Sequence, residues 1–425
     1  MSQTSTSQSL PVVILAAGAN SRFFPLNSSR HKGLIPLLGK PLLAHQLENL
    51  SLHGFRTISI VAAPRDYDQE KIHSLLTEYN LEHLSITLIE QKQALGMGDA
   101  VLLASASIKE SFAVVFPYHI SIGDTLSGMI ALDKPACVAV TPISEPWLYG
   151  IIEMKDNLAT ALVEKPPRGS EPTNLKVQGA YLLSKQFLNI LKEIPSQEYS
   201  FEVALNTLMS QSVVGVFNLS APLPTLKFPW HLFAIQKKLI AQQKTSIHSD
   251  AKIAPTAAID DSSGPVVIEE GATVSHAARI VGPTYLGKQS FVGDFSLVRA
   301  SNLESGVSIG VHSDVTRSIF LENASFHGGG FIGDSIIDQG AKLGAGVITA
   351  NKRFDRDTIK TQVKDNKMDT NKKALGVIMG ARSKLGIRVS TMPGVMIGAN
   401  QAVQAGEIIT KNLPHEASTA SRKEK

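Results

Sequence analysis

From Pro11 to about Ile240, short apolar runs alternate with amphipathic stretches: residues 12–15, then 41–52, then 58–61, then 67–79. Further apolar runs at 86–89, 113–116 and 137–140 continue the alternation, and an amphipathic stretch over 230–243 closes this half. Strand-like and helix-like periods taking turns in this way predict a Rossmann-like α/β domain built on an open, mostly parallel sheet.

After Thr245 the texture changes. Gly and β-branched residues recur in short units, among them Ile268-Glu269, Leu286-Gly287, Val292-Gly293-Asp294, Ile309-Gly310, Ile332-Gly333-Asp334, Leu343-Gly344 and Ile397-Gly398. Their spacing is often near six residues or a multiple of it, the signature of a hexapeptide-repeat β-helix whose apolar corner residues stack coil on coil. A Gly-rich loop would not keep its apolar positions in period. The expected organisation is a flexible tail over 1–10, an α/β domain over 11–243, a left-handed parallel β-helix over 246–412 and a second flexible tail over 413–425.

Composition narrows the class of function. The chain has 425 residues, 43% hydrophobic and 18% charged, ordinary for globular domains. Its net charge of +4 comes from 41 basic and 37 acidic residues, and part of the excess sits in Arg422-Lys423-Glu424-Lys425, so nucleic acid is not an expected partner. One cysteine, Cys137, excludes an intramolecular disulfide framework. Residues 1–10 are polar and without an apolar core, and no apolar run is long enough to span a bilayer, so a cytoplasmic protein without membrane contact is expected.

The run 12–15 leads into Ala16-Ala17-Gly18-Ala19-Asn20-Ser21-Arg22-Phe23-Phe24-Pro25-Leu26, and His31-Lys32 follows before Pro36-Leu37-Leu38-Gly39-Lys40-Pro41. Small residues after a strand let backbone N–H groups approach a polyphosphate, while Arg22 and Lys32 can neutralise charge that builds on an attacked phosphate. An ordinary strand-to-helix turn would share the small residues, and the Gly-rich turn taken by itself favours that simpler reading. Other motifs follow in order: Gln91-Lys92-Gln93-Ala94-Leu95-Gly96-Met97-Gly98-Asp99-Ala100, Tyr149-Gly150, Val163-Glu164-Lys165-Pro166, Gln178-Gly179-Ala180-Tyr181 and Pro229-Trp230-His231-Leu232.

Together these segments resemble the sugar-1-phosphate nucleotidylyltransferases, including the long thymidylyltransferases and the bifunctional uridylyltransferase/acetyltransferases. The resemblance implies that Ala17, Gly18, Gln91 and Gly96 bind the nucleotide. It implies that Gly150, Glu164, Lys165 and Gln178 hold the sugar phosphate, and that Arg22 and Lys32 serve catalysis. The implied reaction is in-line attack of a sugar-1-phosphate oxygen on the α-phosphate of a nucleoside triphosphate, with UTP or dTTP and glucose- or N-acetylglucosamine-1-phosphate as the expected substrates. It further implies Mg²⁺ on carboxylates. Here the pattern breaks. The family's G-D after a strand is replaced by Tyr118-His119, and the segment Leu223-Pro224-Thr225-Leu226-Lys227-Phe228 offers no acid. Three arrangements fit: His119 as a metal ligand helped by Asp99 or Asp124, a different arrangement in this subgroup, or nucleotide-sugar binding without turnover, as in a regulatory module.

In the second half, Ser325-Phe326-His327-Gly328-Gly329-Gly330-Phe331-Ile332-Gly333-Asp334-Ser335 resembles the acetyltransferase segment H-L-x-Y-x-G-D-S, and residues 340–351 resemble N-I-G-A-G-T-I-T-x-N. The resemblance implies His327 as general base toward acetyl-CoA, although it stands one residue early against Gly333-Asp334. It also implies a homotrimer assembled through the β-helix.

Overall fold

A computed structural model describes residues 10–416; residues 1–9 and 417–425, which hold most of both expected tails, lie outside the described part. Two compact units divide the chain, and the division is not a single cut. One unit takes the chain up to Ala19 and Leu42–Thr225, the other Asn20–Pro41 and Leu226–Lys425.

The first unit is a nine-stranded sheet built from β1 (Val12–Ala16), β2 (Thr57–Ala62), β3 (Ser85–Glu90), β4 (Phe112–Val115), β5 (Ala136–Pro142), β6 (Gly150–Lys155), β7 (Leu158–Glu164), β8 (Leu175–Leu183) and β9 (Val214–Asn218). The strand order is β3-β2-β1-β4-β8-β5-β9-β7-β6. From β3 to β4 every pairing is parallel, as crossovers through α1 (Leu42–Leu52), α2 (Gln69–Glu78) and α3 (Gly96–Leu103) require. Beyond β4 the sheet is mixed: β8 inserts antiparallel between β4 and β5, while β5 and β9 run parallel. All five residues of β1 are buried, because helices cover both faces of the sheet. On one face Val13 and Leu15 share a core with Val101 of α3, Phe187 and Leu191 of α5 (Lys185–Lys192) and Phe201 and Leu205 of α6 (Ser200–Gln211). A further helix, α4 (Ile122–Ala131), packs on α1.

The second unit is the expected left-handed parallel β-helix: three eight-stranded parallel sheets whose members alternate along the chain. Every apolar unit marked by the sequence falls in or beside a strand. Ile268, Ile280, Leu286, Val292, Ile309, Ile332, Leu343 and Ile397 all enter one continuous core. Ladder partners in the middle coils stand 17 residues apart, as in Asn302–Ile319 and Asp314–Phe331. Non-glycine residues take left-handed backbone at the corners, including Gln289, Phe295, Ala300, His312, Arg317, Asn323 and Asp334. A two-stranded hairpin, Lys360–Val363 with Asn366–Asp369, interrupts the repeat. The closing helix, α7 (Leu232–Ile240), follows a short 3-10 turn at Pro229–His231 and belongs to this unit.

Candidate functional site

In the first unit, β1 pairs with β2 on one side and β4 on the other, so the chain reverses its direction of winding at β1. In open α/β sheets, ligands bind at the carboxyl ends of the strands at such a switch point. The residues leaving β1 are Ala17 and Gly18. Ala17 is buried, whereas a Cβ on Gly18 would meet no atom within 4 Å, so its backbone is open to a ligand. The residues leaving β4 are Phe116 to His119.

Leaving β3, Gln91 is 5% exposed, and its Nε2 donates to the Asp99 carboxylate at 2.8 Å and to the Gly96 carbonyl at 3.1 Å. Gly96 opens α3 with φ +93°, and a Cβ there would lie 2.7 Å from the Glu198 carbonyl, so only glycine fits. The expected base-reading pair is therefore assembled in one turn, with Gln91 steered by Asp99.

Of the residues expected to hold the sugar phosphate, Gly150, Glu164 and Lys165 come together. Gly150 of β6 is in register with Glu164 of β7, and a Cβ on Gly150 would lie 2.7 Å from the Glu164 carboxylate. Lys165, at φ +47°, donates its backbone N–H to the Tyr149 carbonyl at 3.0 Å, and its ammonium is 3.8 Å from Glu164. Gln178 lies where the register of β8 against β5 shifts, and accepts from the Leu223 N–H at 3.2 Å. Bulges of this kind re-aim side chains beside sites. Gly179, with φ +67°, lets the Phe116 ring approach to 2.5 Å of where a Cβ would be.

His119 is 2% exposed, its ring edge-on to Phe116 and Tyr118 at centroid distances of 5.7 and 5.1 Å. Burial pushes the Tyr118 hydroxyl far above its ordinary pKa. Mg²⁺ needs oxygen donors, and the described residues here do not supply them. Asp99 is engaged by Gln91, the exposed Asp124 by His53 at 2.8 Å, and among the described residues no three His, Cys, Asp or Glu side chains gather. The two carboxylates that the resemblance implies for Mg²⁺ are therefore not found at Tyr118-His119 or in 223–228.

Arg22 and Lys32 belong to the second unit. Asn20, standing where the resembled loop carries glycine, has φ +52°, a left-handed conformation that asparagine tolerates. Its side-chain amide is buried without a hydrogen-bond partner among the described residues. Lys32 donates to the Leu226 carbonyl at 3.0 Å, and burial, with Arg22 adding repulsion, lowers its pKa to about 8. Motif reading places Asn20-Ser21 where the resembled loop carries G-T, and an asparagine at a glycine position after a strand is itself a left-handed-turn signal.

On the β-helix, His327 is exposed and its N–H donates to Leu343 in the ladder at 2.9 Å. The equivalent ladder donors on neighbouring coils are Gly293, Gly310, Gly344 and Gly386, so one imidazole interrupts a column of glycines. The column is tight: a Cβ on Gly310 would lie 2.3 Å from the His327 carbonyl. Beyond it, Asp334 accepts from Arg317 at 2.7 Å and from Asn351 at 2.6 Å.

A nucleotidyl transferase family model matches residues 11–218. Bifunctional protein GlmU of Methanococcus maripaludis is 31% identical over 417 residues, 96% of either chain. This chain belongs to the GlmU family of nucleotidyl transferases. Another GlmU relative, from Methanocaldococcus jannaschii, is 31% identical across 95% of this chain and 96% of its own. The bifunctional sugar-1-phosphate nucleotidylyltransferase/acetyltransferase of Sulfurisphaera tokodaii is 27% identical over 94% of this chain and 97% of its own. Among solved structures, UDP-glucose pyrophosphorylase from Acinetobacter baumannii covers 55% of this chain and 94% of its own, at 23% identity and a TM-score of 0.48. No helix among the described residues is long and apolar enough to cross a membrane.

Proposed function

We propose that this GlmU-family protein joins a nucleoside triphosphate to a hexose- or N-acetylhexosamine-1-phosphate, with UTP or dTTP and glucose- or N-acetylglucosamine-1-phosphate as the preferred substrates. The sugar-phosphate oxygen attacks the α-phosphorus, the bond to the β-phosphate breaks in line, and diphosphate leaves with the electron pair. Such a transfer needs positioning and charge neutralisation rather than an enzyme nucleophile. Arg22 and the half-buried ammonium of Lys32 supply the charge, Gly18 and Ala17 the backbone approach, and Gln91 with Gly96 the contacts to the base. Gly150, Glu164, Lys165 and Gln178 hold the sugar phosphate. The observation that carries this reading is Lys32, a half-buried ammonium that donates to the Leu226 carbonyl and is repelled by a second cation, Arg22, an arrangement that a polyanionic ligand stabilises. Formation of an NDP-sugar, resolved by anion-exchange chromatography across five triphosphates and several sugar phosphates, tests it; recovery of unchanged triphosphate throughout would favour binding without turnover.

A second reading, acetyl transfer from acetyl-CoA with His327 as general base, rests on the imidazole in the glycine column. Release of free CoA thiol with an aminosugar phosphate, abolished by His327→Ala, is its expected signature. We further place the protein in the cytoplasm, which agrees with the free, buried thiol of Cys137. The assembly we propose is a homotrimer through the β-helix, supported by the exposed Ile348 and Ile408 at matching positions of one sheet.

A further inference from the structure

The coil carries carboxylates where a β-helix gains nothing from them. In successive coils the residue just after the first-sheet strand is Gly287, Glu304, Leu321, Asp338 and Gly380, and both acids are 1% exposed. Burying carboxylates is costly unless a partner is brought to them. The partner is the segment Asn20–Pro41. The Arg30 guanidinium donates from Nη1 and Nη2 to the two oxygens of Glu322 at 2.7 and 2.8 Å, and from Nη2 to Gln339 at 3.1 Å. Asp338 lies 3.7 Å away. Glu304 accepts from the Gly39 N–H at 3.1 Å and from Asn302, whose own Oδ1 accepts from the Leu38 N–H at 3.0 Å. Tyr285 closes over Gly39, with its hydroxyl 2.3 Å from where a Cβ would be, and Gly380 admits the Pro25 carbonyl. This set of coil residues thus grips one segment, and that segment carries Arg22 and Lys32.

We propose that Arg30 is a positioning residue for nucleotidyl transfer: clamped on Glu322, it fixes the segment that presents Arg22 and Lys32, so the phosphate grip is set by the β-helix. The inference rests on the nucleotidyl-transfer reading. A two-pronged guanidinium–carboxylate pair fixes orientation as well as distance, which an ammonium cannot reproduce. A misplacement on the order of 1 Å in a phosphate-binding element costs about a hundredfold in rate.

The test is steady-state diphosphate release by the full chain as wild type, Arg30→Met, Arg30→Lys, Glu322→Gln and the Arg30→Met/Glu322→Gln double variant. Val315→Ala, a cavity in the coil core away from the clamp, controls for lost stability. The expected result is a rise of about tenfold or more in KM for the triphosphate in Arg30→Met and in Glu322→Gln. The KM for the sugar phosphate stays unchanged, the double variant is no worse than Arg30→Met, Arg30→Lys recovers part of the loss, and Val315→Ala keeps the wild-type KM. A merely destabilised enzyme would lose apparent kcat at constant KM. Triphosphate KM values within twofold of wild type, strictly additive effects, or the same rise in Val315→Ala would overturn the proposal while leaving nucleotidyl transfer intact. Absence of turnover in the wild type would overturn both.

Discussion

At the scale of single residues, environment rather than residue type decides what each group can do. Lys32 loses its proton near pH 8 in the free protein because burial and Arg22 both disfavour its charge. The kcat/KM for the triphosphate should therefore fall as pH rises through about 8. Arg22 is left to act alone. In Lys32→Arg, whose guanidinium stays protonated, this alkaline limb should vanish from the accessible range even though the rate is lower; a limb still at 8 would assign the titration to another group. Glu304 behaves in the opposite sense. Burial holds its carboxyl up to about 8, above the ordinary 4.5, so the folded state keeps a proton that the unfolded state releases. Its contribution to stability is present in full below about 4.5 and is lost as pH rises through about 8. Thermal unfolding at pH 5.5 and 8.5 should show a smaller loss for Glu304→Gln than for wild type, by on the order of 2 kcal/mol.

At the scale of elements, the bulge in β8 carries Gln178 and Gly179, and Gln178 is one of the residues proposed to hold the sugar phosphate. Gly179 combines φ +67° with a Phe116 ring that a Cβ would meet at 2.5 Å. Gly179→Ala should cost about 1–3 kcal/mol of stability from backbone strain. It should also raise the KM for the sugar phosphate about tenfold while moving the triphosphate KM less, since Gln91 and Gly96 lie on other elements; this rise converts to about 1.4 kcal/mol of binding. Much of this scale was readable from the chain. Strands β1, β2 and β4 stand where short apolar runs predict them, and the coil core is populated by the period-six residues, because both signals are local. The antiparallel insertion of β8 and the hairpin at 360–369 left no such trace. Neither did the allegiance of Asn20–Pro41, which depends on pairs such as Arg30–Glu322, 292 residues apart in sequence. Of the candidate site, glycines demanded by backbone, such as Gly96 and Gly179, were legible; the grip of Asn302, Glu304 and Asp338 on Asn20–Pro41 was not, since a polar residue at a β-helix corner looks like any exposed turn until a partner covers it.

At the scale of the whole molecule, the chain joins an α/β sheet, with Tyr118-His119 where the resembled family carries G-D and no acid in 223–228, to a β-helix unit that holds the cationic segment. If copies associate through the β-helix, sedimentation equilibrium should give about three times the monomer mass, and Ile348→Lys/Ile408→Lys should shift it to a single chain without loss of the coil fold. The central claim is that Arg22 and Lys32 supply charge neutralisation that turnover requires. Diphosphate release by wild type, Arg22→Met and Lys32→Met with UTP or dTTP and a sugar-1-phosphate addresses it most directly. Turnover in the wild type, with kcat/KM lowered on the order of 10²–10³-fold in each variant, is the predicted result; a wild type that releases no diphosphate, or variants that match it, would contradict the account.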